Sequence, residues 1–176
     1  MKGHYIYKHS APTELSESKN HARMRTFRIR LITSFLVGIS ICAICQDTPA
    51  QATGKAKAVI RAVLDAQAAA WNRGDIEGYM DGYDRSPKTE FVGGDSITRG
   101  WQEVFDRYKK RYDSREKMGT LTFSDLEINV LSKDAALVLG RWRLKRANDE
   151  PHGTFTLLFR KTKSGWKIVH DHTSSA

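Results

Sequence analysis

The sequence predicts an α+β fold in which helices come first and a curved antiparallel sheet then wraps over them. Between residues 55 and 112, apolar side chains recur at the 3.6-residue spacing of amphipathic helices. After Gly119 they alternate with a period of two, and only short polar links separate the alternating runs. Short links join antiparallel neighbours, so this part of the chain predicts a meander of strands packed on the helices.

Three helices are predicted before the sheet. Residues 55–72 form the first helix, where Gly74 is expected to follow its end and Asp75 to cap the second helix, at residues 76–83. The third helix covers residues 101–112, whose aromatic side chains fall on one face.

Five strands are predicted, at residues 89–93, 120–131, 135–146, 152–161 and 166–173. In the last strand, strict alternation places Trp166, Ile168, His170 and His172 on one face and Asp171 on the other. This strand is therefore predicted to run from a packed core into a pocket, with both histidines on the pocket side.

A signal peptide is predicted near the N-terminus. Residues 25–30 are rich in arginine, and residues 31–44 form an apolar run that is long enough for a signal peptide but short for a bilayer span. Small residues at the required spacing predict cleavage after residue 45 or 52. The chain would then be secreted or periplasmic, with no membrane span after processing, and an uncleaved N-terminal anchor is the alternative.

The predicted domain organisation follows from that segment. Residues 1–23 are expected to be a disordered extension upstream of the true start, and residues 24–45 to be the signal peptide. Residues 46–54 are polar and are predicted to form a linker. Residues 55–174 are predicted to form the folded domain.

Composition limits the classes of function. The formal net charge is +9, but residues 1–45 account for +5, so the predicted domain is only mildly basic. Together with export, this charge argues against a nucleic-acid partner, and basic runs such as residues 109–111 are interpreted as solvated surface. Cys42 and Cys45 both lie at the signal peptide, so the exported domain is expected to have no disulfide and no cysteine-bound metal.

Three stretches resemble the nuclear-transport-factor-2-like superfamily. Residues 70–79 contain Asn72-Arg73-Gly74-Asp75 and resemble its junction between two helices, Arg99-Gly100-Trp101 resembles its entry into the next helix, and residues 165–174 resemble its closing strand. The similarity is greatest to the SnoaL-like branch and to the association domain of calcium/calmodulin-dependent kinase II. It implies a cone-shaped, cystatin-like roll: a curved mixed sheet around about three helices, with a pocket at its open end and dimerisation through the sheet.

The resemblance leaves activity open, because relatives include isomerases, dehydratases, cyclases, hydrolases and non-catalytic assembly domains. The ketosteroid isomerases provide the sharpest test. Their carboxylate base corresponds to a position near Val92 or Gly93, their oxyanion tyrosine to Gln67 and their protonated aspartate to Thr156. None of these residue types matches, so that isomerisation is not expected here.

The kinase association domain is more similar around the pocket. Its pocket arginine corresponds to Arg141, and its closing W-x-I-V-H-x-H-x-S pattern matches residues 166–174. The resemblance therefore implies a cationic pocket that receives a carboxylate or carbonyl group. The alternative is that Arg141 pairs with Asp75, Asp81 or Asp84.

Candidate site residues come from these patterns. Imidazoles titrate near neutrality, so His172 is the candidate acid–base residue, and His170 either joins it or packs under Trp166. Zinc bound by His152, His170 and His172 is an alternative, but Asp171 faces away in that arrangement, and no metal or cofactor is expected. The other predicted pocket residues are Gln67, Trp71, Tyr79, Tyr83, Tyr108, Arg141 and Thr156.

The outer face of the sheet is predicted to form a homodimer interface. On the strand at residues 135–146, Val138, Trp142 and Leu144 lie opposite Arg141, and apolar side chains on an outer face favour self-association. The leading hypothesis is an exported domain that binds a small polar, carboxylate or carbonyl ligand. The alternatives are a lyase, isomerase or hydrolase that uses His172, and a non-catalytic assembly module.

Overall fold

The computed structural model describes residues 48–176, which contain four helices and one six-stranded sheet. The helices are α1 (Pro49–Asn72), α2 (Ile76–Met80), α3 (Trp101–Arg111) and α4 (Arg115–Met118). The strands are β1 (Glu90–Gly93), β2 (Ser96–Arg99), β3 (Thr120–Ser132), β4 (Ala135–Lys145), β5 (His152–Thr162) and β6 (Gly165–Thr173). The predicted N-terminal extension and signal peptide lie outside the described residues.

The first helix begins at Pro49, earlier than the sequence pattern predicts. Thr48 and Gln51 form a capping box, in which each side chain accepts a hydrogen bond from the backbone N–H of the other residue. Residues 49–54, which were expected to be linker, are therefore helical. Asp75 caps α2 as predicted, because its carboxylate accepts a 2.7 Å hydrogen bond from the Gly78 N–H.

The sheet has the strand order β2-β1-β6-β5-β4-β3. Strands β3 to β6 form the predicted antiparallel meander, and β1 pairs in parallel with β6, so the sheet is mixed. The sequence pattern misses β2, a four-residue strand that pairs with β1 as a hairpin. Helices packed in front of a curved mixed sheet confirm the predicted α+β class.

The core lies between α1 and the inner face of the sheet. Ile60 and Leu64 of α1 are fully buried against inward side chains such as Val138 and Phe159. The two buried indoles of the helices also satisfy their polar N–H groups, since Trp71 Nε1 donates to the Met118 carbonyl and Trp101 Nε1 to the Met80 carbonyl.

A β-bulge at Val169 changes which side of β6 faces the core. Leu158 of β5 pairs with His170 while the next residue, Phe159, pairs with Ile168, so Val169 is an extra residue between the two pairs. Trp166 and Ile168 point inward before the bulge, and Asp171 and Thr173 point inward after it. The prediction from strict alternation is therefore wrong beyond Ile168: Asp171 faces the interior, and His170 and His172 face outward.

Strand β4 also has the opposite orientation from the one predicted. Val138 and Leu144 are buried on the inner face, and Trp142 lies on the same side. Leu139 and Arg141 lie on the outer face. Val138, Trp142 and Leu144 are consequently not available to an outer-face dimer interface.

Candidate functional site

A cavity of about 370 Å³ lies between the helices and the inner face of the sheet. Gln67, Tyr83 and Ile168 line its buried end. Gly94 and Arg111 are exposed and line the end that opens to solvent. The volume falls in the range of about 300–1,000 Å³ that is typical of ligand pockets.

Five of the predicted pocket residues lie on the wall of this cavity: Gln67, Trp71, Tyr79, Tyr83 and Tyr108. Four of them lie on helices α1, α2 and α3, and Tyr83 follows α2 and forms a bridge to Ile168 of β6. Gln67 is held in place by a 2.9 Å hydrogen bond from its Nε2 to the Tyr79 carbonyl. That these residues contact a ligand stays a prediction.

Asp171 places a buried carboxyl group on the wall of the cavity, with only 3% of its surface exposed. The Tyr83 hydroxyl donates a 2.6 Å hydrogen bond to Oδ2, and the Thr173 hydroxyl donates a 2.7 Å hydrogen bond to Oδ1. Burial raises the pKa of Asp171, because removing a carboxylate from water disfavours its charged form. The two hydrogen bonds act in the opposite direction but have the smaller effect.

Three tyrosines surround this carboxyl group. Burial and the nearby Asp171 raise the pKa of Tyr79, Tyr83 and Tyr108, so all three keep their protons near neutral pH. The hydroxyl groups of Tyr79 and Tyr108 lie 3.4 Å apart. Trp71 packs edge-on against both rings, which fixes their positions. The inner end of the cavity is thus an aromatic chamber with one carboxyl group and several hydroxyl donors.

Two arginines of α3 line the cavity as well. Arg107 Nη1 donates a 3.0 Å hydrogen bond to the Thr98 hydroxyl of β2, and its guanidinium lies 4.8 Å from the centre of the Phe91 ring. Arg111 lies one turn further along the helix, at the solvent-exposed end. The opening is therefore positively charged, whereas the buried end carries the carboxyl group.

Four predicted site residues lie on the other side of the sheet. Arg141 has a 62% exposed side chain and pairs with Asp125 at 3.1 Å, so it does not line this cavity, and its ion-pair partner is none of the three acids considered as alternatives. Thr156 pairs with His172 on the outer face, and His170 Nδ1 lies 3.1 Å from Glu90 Oε2 on that face. The bulge at Val169 accounts for both histidines and the orientation of β4 for Arg141, while Thr156 alternates with the buried Phe155 and Leu157 of β5.

Neither a metal centre nor a membrane helix is found within residues 48–176. No three histidine, cysteine or acidic side chains of this part of the chain come together as a possible metal site. None of its helices is both long and apolar enough to cross a membrane. His152, considered as a zinc ligand, instead lies with Nδ1 3.0 Å from the Glu150 carbonyl.

The sequence patterns do not reveal the three charged residues of the cavity, namely Asp171, Arg107 and Arg111. No local signal reveals Asp171, because its orientation depends on the bulge. The arginines were detectable: Arg107 follows Val104 by three residues and Arg111 follows Arg107 by four, which places both at the edge of the apolar face of α3.

The curved sheet and the enclosed cavity define a nuclear-transport-factor-2-like fold, and comparisons with solved structures agree. A nuclear-transport-factor-2-like protein of unknown function from Shewanella oneidensis is 43% identical, over 65% of this chain and 95% of that one, with a TM-score of 0.63. A ketosteroid isomerase-like protein from Erwinia carotovora is 22% identical, over 67% and 94% of the two chains, with a TM-score of 0.54. No curated protein sequence matches this chain.

The family follows from a match over most of the folded domain. The model of the SnoaL-like domain matches residues 60–176, which include almost every element described above. The chain therefore belongs to the SnoaL-like domain family, as the resemblance in the sequence implies. A nuclear transport factor 2 superfamily protein from Salmonella enterica shares the fold at 22% identity, over 69% of this chain and 92% of that one, with a TM-score of 0.58.

Proposed function

We propose that this chain binds a small, largely apolar ring compound in the cavity, with a polar group of the ligand directed at Asp171. The observation that carries the proposal is the carboxyl group buried on the wall of an aromatic cavity. Burying a carboxyl group costs free energy, and such groups concentrate at functional sites. A carboxylate offers about four acceptor positions, and Tyr83 and Thr173 occupy two, so acceptor capacity remains for a ligand.

Calorimetric titration with 2-naphthol and methyl 2-naphthoate tests this proposal. Both probes are neutral and planar, and they differ in whether they donate or accept a hydrogen bond. We expect Leu157→Trp, which places a large ring in the cavity wall, to abolish binding. Leu139→Trp is the matched control, because Leu139 lies on the outer face of the neighbouring strand and should leave binding unchanged.

Asp171→Asn tests the contribution of the carboxyl group to binding while keeping the shape of the cavity nearly unchanged. The amide keeps nearly the same volume but replaces one acceptor oxygen with a donor, so the affinity for 2-naphthol should fall more than the affinity for the ester. Equal binding by wild type and Leu157→Trp, or no binding of either probe to the wild type, would show that the cavity is not a ligand site.

Proton transfer is the second candidate function, favoured by the position of Asp171 beside the tyrosines. A carboxyl group with a raised pKa is a stronger base than an ordinary carboxylate, and hydroxyl donors stabilise an oxyanion. In this role Asp171 would remove a proton from the carbon next to a ketone, and the electron pair would move to the ketone oxygen. The enzyme alternative thus rests on Asp171 in place of His172, which faces outward.

Deuterium exchange provides the test for the enzymatic alternative. Incubation of 2-tetralone in heavy water should show enzyme-dependent loss of its α-proton signals by NMR. Asp171→Asn should remove this exchange, and His172→Asn should not. If wild-type protein does not raise the exchange rate above the uncatalysed rate, the chain does not transfer a proton from this ketone. The proposal of ligand binding would not be affected by that result.

A homodimer through the outer face of the sheet remains our proposal for the quaternary structure, with corrected residues. Ile97 (53% exposed), Val92, His172, Thr156 and Leu139 (45% exposed) follow one another across neighbouring strands on that face. Exposed apolar side chains at both ends of this row favour association with a second copy. Light scattering should give twice the monomer mass, and Leu139→Lys should reduce it to the monomer mass; a monomeric wild type would contradict the proposal.

Export with cleavage after residue 45 is our proposal for localisation. The capping box at Thr48 supports this position, because cleavage after residue 52 would remove the cap and the first turn of α1. Expression of the full chain in a Gram-negative bacterium, cell fractionation and mass spectrometry of the N-terminus would test it. The expected product is periplasmic and begins at Gln46, whereas an intact cytoplasmic chain would contradict export.

A further inference from the structure

We propose that Arg107 and Arg111 select ligands that carry a carboxylate, so that the natural ligands are ring-containing organic acids. This inference rests on the proposed function, since it assigns a chemical class to the occupant of the same cavity. It goes further by naming the residues that determine specificity, which lie on α3 at the opening rather than on the sheet.

Arg107 and Arg111 differ from the other described arginines in their partners. Among the arginines of residues 48–176, most have a carboxylate within 4.0 Å; these are Arg61, Arg73, Arg85, Arg99, Arg141, Arg143, Arg146 and Arg160. Arg115 donates instead to the backbone carbonyls of Trp71 and Asn72. Within that described part of the chain, Arg107 and Arg111 are the arginines with neither kind of partner, and both line the cavity.

The Arg107 side chain is already oriented before a ligand binds. Its Nη1 is held by the Thr98 hydroxyl at 3.0 Å, and its planar group packs on the Phe91 ring. Both contacts reduce the conformational freedom that binding would otherwise remove. The Thr98 contact uses one N–H group, so other donors of the guanidinium remain for the two oxygens of a carboxylate.

The two ends of the cavity also differ in charge. Two positive side chains lie at the open end, and Asp171 lies at the buried end beneath an aromatic section. A ligand carboxylate is attracted to the arginines and meets a second carboxyl group at the buried end, and the attraction is stronger near a wall of low dielectric constant. The ligand is therefore expected to enter ring first, with its carboxylate at the opening and its opposite end near Asp171.

In this proposal the arginines that bind the carboxylate lie on α3, whereas the sequence predicted Arg141 on β4 for that role. An arginine was expected to receive a carboxylate, but Arg141 lies outside and is paired with Asp125. Arg141 consequently serves as the matched control, because it is an exposed arginine on the same domain that should have no influence on the cavity.

The experiment compares 2-naphthoic acid with its methyl ester by calorimetric titration. We expect the acid to bind wild-type protein at least about tenfold more tightly than the ester, and added salt to weaken only the acid. Arg107→Gln combined with Arg111→Gln should remove that preference, because the acid loses far more affinity than the ester. Arg107→Lys should keep part of the preference, because it retains the charge without the planar fork, and Arg141→Gln should keep all of it.

The outcomes separate this inference from the proposed function. If the ester binds wild-type protein as tightly as the acid, or if the double variant keeps the preference for the acid, the role of the arginines is overturned while the cavity remains a ligand site. If neither compound binds to wild-type protein, the proposed function fails and the inference fails with it. Unfolding curves of the double variant establish that a loss of affinity reflects the removed charges and not a loss of fold.

Discussion

Asp171 and Glu90 lie on neighbouring strands of one sheet, β6 and β1, but their carboxyl groups face opposite sides. Asp171 is buried in the aromatic cavity, and burial raises its pKa. Glu90 is on the outer face, where hydrogen bonds from His170 and Arg99 lower its pKa. The two groups therefore respond to pH in opposite directions.

The two carboxyl groups differ in how strongly their charges act on their surroundings. Glu90 belongs to an exposed network of charges that water and salt screen, so its charge contributes little that is specific. Asp171 is surrounded by groups that cannot reorganise as water does, so a change in its charge acts strongly on any ligand in the cavity. Substitutions on the inner face should therefore have larger effects than matched substitutions on the outer face.

Deletion of Val169 should have the largest effect, because it removes the residue that gives the two halves of β6 their orientation. Without the bulge, either Asp171 turns outward or Trp166 and Ile168 do. We expect a loss of stability on the order of 4 kcal/mol or more, measured by urea denaturation. Val169→Ala keeps the extra residue and is the control; equal stability of the deletion and this control would show that the bulge does not set the orientation.

Leu157→Ala should come next, compared with Leu139→Ala on the adjacent strand. Leu157 is 4% exposed on the inner face, and removing its side chain enlarges the cavity at a cost of about 2–5 kcal/mol. Leu139 lies on the outer face, and its truncation should change the stability of the monomer by less than about 0.5 kcal/mol. Similar losses for the two variants in dilute denaturation experiments would contradict the assignment of the faces.

Asp171→Asn should change the dependence of stability on pH. The pKa of Asp171 is raised on folding, so the folded state holds the proton more tightly than the unfolded state. Its contribution to stability is fully present below the ordinary value near 3.8 and is lost as the pH rises through the raised pKa. The free energy of unfolding of the wild type should fall relative to the variant across this window, and parallel curves would show that Asp171 does not titrate as described.

Glu90→Gln should show the smallest effect and the opposite sign. Because folding lowers the pKa of Glu90, its contribution is present above the ordinary value near 4.5 and is lost as the pH falls through the lowered pKa. The wild type should therefore lose a small advantage over the variant in acid, and high salt should remove that advantage at all pH values. A pH-independent difference that resists salt would place Glu90 in a more protected environment than the outer face.

The fold could be predicted because its elements depend on local patterns. The helical spacing and the alternation after Gly119 gave the class, the strand order of the meander and the helix junction at Asp75. The start of α1 could not be read from apolar spacing, because residues 49–54 are held in the helix by the Thr48 cap. The short strand β2 was missed because four residues carry too little pattern.

The candidate site was predictable on its helical side and not on its sheet side. Gln67 and Trp71 were placed on the cavity wall because a helix keeps its period over its whole length. A strand loses its period at a single bulge, so His172 was expected in the pocket in place of Asp171. In β4 both faces carry leucines, and the better indication was that Arg141 and Arg143 share a face, which favours solvent.

The bulge at Val169 also has an evolutionary consequence. The backbone N–H and carbonyl of Ile168 are tied to Gly82 and Asp84 at 2.9 Å, so the first half of β6 is anchored independently of the second. Natural selection can therefore exchange the side chains at residues 170–173 while the hydrogen bonds of Ile168 keep the first half of β6 in place. New side chains can be tested on both faces beyond the bulge without rebuilding the architecture.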